Sequence, residues 1–192
     1  MTQTSAGNRF TVLFDAEKIA ARVRELGAQI SADYRGRPLH LVGILKGSWI
    51  FMADLIRHLD LEVTADFLGF SSYGSSPTTS GQVKITKDLD MSIEGLDVLV
   101  IEDILDTGLT FQSLQDFLKS HKPRSLKVAT LLDKASRRVQ PIRADYVGFT
   151  IPDKFVVGYG LDFAQKYRGC PEIRVLELSP EEEEKVRMHV SE

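Results

Sequence analysis

A single cysteine, Cys170, stands in 192 residues, so no disulfide can form within the chain and no cysteine-based zinc cluster is available. Basic charge is not in excess either: the formal net charge is −3, whereas surfaces that track nucleic-acid phosphates usually carry a cationic surplus. Nucleic acid is therefore not expected as the main partner, although a local basic pocket is compatible with that balance. No apolar run approaches the length needed to span a bilayer, and no membrane role is expected. The segment "MTQTSAGNRF" lacks a basic start followed by an apolar stretch, which argues against a secretory signal and for a cytoplasmic location. Internal repeats and interdomain linkers are missing too. With 43% hydrophobic and 27% charged residues, the chain has the composition of one ordinary globular domain.

The apolar pattern alternates between helix and strand. Ile19, Val23, Leu26 and Ile30 fall on one face of an expected helix over 15–35, which "GRP" then breaks. "LHLVGIL" (Leu39–Leu45) suits a buried strand, followed by a helix over 48–59 and a strand over 61–70. Residues 71–82 are almost entirely Ser, Thr, Gly and Pro and read as a mobile loop. Further strands are expected over 83–89, 97–103, Ser125–Asp133, 146–151 and 172–178, with a helix over 110–121 burying Phe111, Leu114, Phe117 and Leu118. Ser179, ahead of an acidic run, suits a helix N-cap. Continuous apolar strands alternating with helices predict an α/β fold, a mainly parallel sheet flanked by helices.

Within this pattern "VLVIEDILDTGLT" (98–110) is the segment with most chemistry. In a parallel α/β sheet ligands bind beyond the carboxyl ends of the strands, where this strand delivers Glu102 and Asp103. The loop Asp106-Thr107-Gly108-Leu109-Thr110 then opens a helix, whose free N–H groups and threonine hydroxyls can take a phosphate. It lacks the GxxxxGK[ST] pattern and is not a nucleotide P-loop. Adjacent carboxylates suit a magnesium-bearing, hydroxyl-rich ligand. Each acid alone also reads as a solvated loop residue, and Asp106 as a helix cap.

Strand, acid pair, turn and helix in that order resemble the phosphoribosyl pyrophosphate (PRPP) motif of type I phosphoribosyltransferases. More of the chain, about 39–168, resembles the hypoxanthine (hypoxanthine-guanine) branch of that family. The likeness rests on "GILKGSWIF", "SSYGSS…SGQVKITKDLD", "VLVIEDILDTGLT", "LLDK" and "IPDKFVVGYGLDFAQKYRG". The resemblance implies transfer of phosphoribose from PRPP to a 6-oxopurine base, giving a nucleoside 5′-monophosphate and pyrophosphate, with two Mg2+ ions. It implies one phosphoribosyltransferase domain over 1–192: a core of about 37–160, a small hood from about 1–36 and 161–192, and the loop 71–82 as a lid beginning at Ser72 and Tyr73.

By the same resemblance Asp106 is the general acid/base acting on purine N7. Glu102 and Asp103 hold the ribose hydroxyls and one magnesium. Residues 106–110 cradle the 5′-phosphate, Leu109 through its backbone alone. Lys46 and Gly47 match the pyrophosphate loop, where the Leu45–Lys46 peptide can be cis; taken alone, "KGS" is an ordinary strand-to-helix turn. Lys134 matches the donor to the 6-oxo group, Phe155 the ring that stacks on the base, and Val156 a backbone contact to its edge. An isolated lysine would more often be solvated and a lone phenylalanine core. Asp162 matches a ligand of the second magnesium and Arg168 a pyrophosphate-binding arginine, both suited to phosphate chemistry. Hypoxanthine is expected to serve at least as well as guanine, and the family implies a homodimer or homotetramer.

The rival from another class is a non-catalytic PRPP-binding regulator of the same fold. Such proteins tend to alter the acid at position 106 or lose the pyrophosphate loop, and both are retained here. An adenine enzyme conflicts with Lys134, because a 6-amino group would meet a second donor. Pyrimidine enzymes do not match the segment 155–168.

Overall fold

The computed structural model describes residues 9–72 and 83–182. Its main sheet has six strands in the order β4-β3-β2-β5-β6-β7. These are β2 (Leu39–Leu45), β3 (Val63–Ser72), β4 (Val83–Lys87), β5 (Asp97–Leu105), β6 (Ser125–Asp133) and β7 (Tyr146–Thr150). All neighbours run parallel except β3 and β4, which form an antiparallel edge. A second, antiparallel sheet of order β1-β9-β8 joins β1 (Arg9–Phe14), β9 (Ile173–Glu177) and the two-residue β8 (Val156–Val157). It unites segments from both ends of the described chain.

Alternation along β5 explains how the large sheet is covered. Leu99 and Ile101 face one buried cluster, with Val23, Leu26 and Ile30 of α1 (Ala16–Asp33) and Phe51 and Leu55 of α2 (Trp49–Ile56). Val98 and Val100 face a second cluster, with Phe111, Leu114 and Leu118 of α3 (Leu109–Ser120). Both faces are apolar because both carry helices, as expected for parallel strands. Asp15 starts α1 by accepting from the Lys18 amide at 2.8 Å. At the far end Ser179 forms a reciprocal capping box with Glu182, at 3.3 and 2.9 Å.

The strands β2, β5 and β6 all end on the same edge of the sheet, so the loops after Leu45, Leu105 and Asp133 gather there. Two strands escape a reading by pattern: β1, and β8, which is too short to show a period. The helix α2 ends at Ile56, three residues before the expected 59, because the chain turns at Arg57–His58. That turn packs His58 against Gly27 of α1, whose position has no room for a Cβ.

Candidate active site

Glu102 and Asp103 lie near the end of β5 and are half-buried. Burial, then the neighbouring Asp103 charge, pushes the Glu102 carboxyl well above its usual range. Asp103 is pushed up to about 6, mainly by burial with a contribution from Asp162. A hydrogen bond donated by the Ile104 backbone N–H at 2.8 Å and the charge of Arg168 pull the other way.

The Asp103 carboxylate lies directly over Gly47, where any Cβ would overlap it. Gly47 follows the Leu45–Lys46 peptide, which is cis. On its other side Gly47 meets Gly160, so closely that a Cβ on Gly160 would collide with the Gly47 carbonyl oxygen. Arg168 locks this second loop: it donates to the Gly160 carbonyl at 2.8 Å and pairs with Asp162 at 2.6 Å. The Gln165 side-chain oxygen accepts from Lys46 at 3.5 Å and from Arg168 at 3.3 Å, and its backbone N–H donates to Asp162 at 2.8 Å. Lys46, Gly47, Asp103, Asp162 and Arg168 therefore form one group, although they come from three separate segments.

Asp106 belongs to a second group. Lys134, only 5% exposed at the end of β6, puts Nζ 3.9 Å from Asp106 Oδ2 and 3.8 Å from Asp153 Oδ1. Burial lowers the Lys134 pKa from its ordinary value, while the two carboxylates oppose that shift. Between Asp106 and the helix, Gly108 takes a left-handed φ of 85° and serves as N-cap of α3. The turn is braced from below: Arg138 Nη1 donates to the Asp106 carbonyl at 2.6 Å, and the Val139 amide donates to the Thr107 carbonyl at 2.9 Å. Arg138 also pairs with Asp133. The Leu109 amide reaches the Thr107 hydroxyl at 3.5 Å, and Thr110 lies in the first turn of α3. The N-terminus of α3 opens directly from this turn, a place where first-turn N–H groups can take an anion.

Phe155 packs edge-to-face on Phe163 at 5.7 Å, one residue after Asp162. Val156 sits opposite Val175 in the outermost strand of its sheet, while the Phe155 carbonyl accepts from Leu176. Alternation of the ladder then leaves the Val156 amide and carbonyl on the free edge. Ser72 is the last residue of β3; Tyr73 and the rest of the expected lid, 73–82, lie outside the described residues. Among the described residues no group of three or more His, Cys, Asp or Glu side chains is arranged around a common metal position. No described helix is long and apolar enough to cross a membrane.

Residue patterns did not reveal Arg137, Arg138, Asp153, Gly160 or Gln165. The paired arginines of "ASRR", directly after Lys134, were the available signal. A family model for the phosphoribosyl transferase domain matches residues 11–164. The hypoxanthine-guanine phosphoribosyltransferase of Bacillus subtilis is 52% identical over 165 residues, covering 86% of this chain and 92% of that protein. A crystal structure of a hypoxanthine phosphoribosyltransferase from Staphylococcus aureus superposes with a TM-score of 0.84 at 51% identity, covering 87% and 91% of the two chains. One of a Bacillus anthracis hypoxanthine-guanine phosphoribosyltransferase gives 0.83 at 48% identity, covering 86% and 97%.

Proposed function

The chain belongs to the phosphoribosyltransferase family, and from that premise we infer that it works in purine salvage as a hypoxanthine-guanine phosphoribosyltransferase. It moves the 5-phosphoribosyl group of PRPP onto N9 of hypoxanthine or guanine, giving IMP or GMP and pyrophosphate. The observation that carries this reading is the pair formed by buried Lys134 and Asp106, a donor 3.9 Å from an acceptor at the ligand edge of the sheet. A 6-oxopurine presents O6 and N7 side by side on one edge. Lys134 donates to O6 while Asp106 takes the proton from N7. As the N9–C1′ bond forms, the C1′–oxygen bond to pyrophosphate breaks with its electrons on the leaving oxygen. The positive charge developing on the sugar faces carboxylates.

The turn 106–110 holds the 5′-phosphate, and Lys46, Gly47 and Arg168 hold the pyrophosphate. Phe155 stacks on the base and Val156 offers its free backbone edge to it. Glu102, Asp103 and Asp162 are the residues that would hold two magnesium ions. They fit, because hard oxygen donors suit that ion and carboxylates raised by burial gain most from a divalent cation. Bound magnesium would offset the charge of the leaving group. The protein is proposed to act in the cytoplasm as a homodimer or homotetramer, which light scattering after size-exclusion chromatography distinguishes. Incubation with PRPP, Mg2+ and hypoxanthine or guanine should release pyrophosphate and form the nucleotide; turnover of neither base overturns the assignment.

A further inference from the structure

We propose that Arg137 is a positioning residue for Asp106, holding one carboxylate oxygen so that the other faces the purine. The inference rests on the function proposed above. Arg137 closes a single 3₁₀ turn, Ala135–Arg137, that begins directly after Lys134 and bends the chain back towards β5. Its Nε lies 3.2 Å from Asp106 Oδ1, and its Nη1 donates to Asp153 Oδ1 at 3.4 Å. Lys134 Nζ lies 3.9 Å from Asp106 Oδ2 and 3.8 Å from that same Asp153 oxygen. Two carboxylates and two cations thus alternate around a closed ring.

The two Asp106 oxygens are not equivalent in this ring. Oδ1 is buried and makes no hydrogen bond, so the guanidinium holds it by charge rather than by an aligned N–H. Oδ2 is the oxygen beside Lys134, and therefore the one placed for N7 when Lys134 meets O6. Arginine suits the post, because its rigid planar fork sets two separate nitrogens, Nε and Nη1, against the two acids. Asp153 anchors both cations from the outer side. Without Arg137, Asp106 regains rotational freedom and Lys134 is left alone between two carboxylates, drawn away from the base. Arg138, its neighbour, is already committed to the Asp106 carbonyl and Asp133 and cannot substitute.

The test compares Arg137→Ala, Arg137→Lys and Asp153→Asn with the unaltered protein in saturating Mg2+, varying PRPP and hypoxanthine separately. Arg137→Ala is expected to lower kcat about 10–100-fold, the scale of a misplaced reacting group, with the PRPP KM within about twofold. Arg137→Lys restores part of that rate, as does free guanidinium added to Arg137→Ala. Losses in Arg137→Ala and Asp153→Asn are less than additive, since both open one ring. An unchanged kcat in Arg137→Ala overturns the proposal. So does a loss that neither lysine nor guanidinium relieves and that comes with a large drop in Tm, which marks a structural role. Should the unaltered protein fail on hypoxanthine, the functional reading falls; an active protein indifferent to Arg137 removes this inference alone.

Discussion

Replacing Gly160 by alanine disturbs the junction of the two loops assigned to pyrophosphate without altering a charged group. Gly160 sits at φ +102°, a conformation that costs an L-residue about 1–3 kcal/mol. The added Cβ would overlap the Gly47 carbonyl oxygen and stand 3.2 Å from its carbon, and that neighbour is backbone with no rotamer to escape into. Overpacking of this kind adds about 1–3 kcal/mol, so the total is about 2–6 kcal/mol if the loops stay together. At about 2–4 °C per kcal/mol for a chain of this size, Tm should fall by about 5–20 °C. The loops can relieve part of the strain by moving apart. That separates Lys46 from Gln165 and breaks the 2.8 Å bond from Arg168 to the Gly160 carbonyl. Loss of about 1.4 kcal/mol of pyrophosphate binding raises the PRPP KM about tenfold, with the hypoxanthine KM little changed. Calorimetry and steady-state kinetics with PRPP varied at saturating hypoxanthine read both effects. An unaltered Tm together with an unaltered PRPP KM would refute the contact between the loops.

Asp106→Asn should leave PRPP binding largely intact, by calorimetric titration, and lower kcat by about 10²–10⁴-fold, the usual reach of a general acid/base; an unchanged rate removes that role. Lys134→Met, similar in length but without the donor, should cut kcat/KM for hypoxanthine about 10–100-fold, the worth of one charge-assisted hydrogen bond, and spare the PRPP KM. Away from the site, Arg124 first, then Ser125 and Arg37, hold buried Asp97 below the usual carboxylate range. Its stabilisation is therefore present above the unfolded carboxylate pKa and is lost as pH falls through the lower folded value. Asp97→Asn should cost about 1.5–3 kcal/mol at pH 7, and that difference should shrink towards zero in acid denaturation followed down to about pH 2. A penalty independent of pH would contradict the ion-pair origin.

What could be read from the sequence was local. β2 and β6 have the bounds their apolar runs and flanking turn residues implied, because burial on both faces leaves an uninterrupted signal. The acids of 102–106 stood out because strand, carboxylates and turn are contiguous. β1 was hidden because its meaning lies in pairing with β9, at the other end of the chain. Gly47 and Gly160 show the same limit: each is an ordinary turn glycine until the fold brings their backbones together. The cations Lys46, Arg168 and Lys134, far apart in sequence, divide between two groups: Lys46 and Arg168 beside Asp162 and Gln165, and Lys134 beside Asp106. Arg137 was invisible because the 3₁₀ turn, not the spacing, aims it at an acid 31 positions earlier.

The central claim is that Lys134 and Asp106 together read the O6–N7 edge of a 6-oxopurine. Its most direct test is the ratio of kcat/KM for hypoxanthine to that for adenine, with PRPP and Mg2+ in common. A site that presents a buried donor to the 6-position should favour hypoxanthine by about 10⁴-fold or more, and Lys134→Met should lower that ratio by at least about 10–100-fold. Comparable turnover of adenine, or a ratio that survives Lys134→Met, would contradict it.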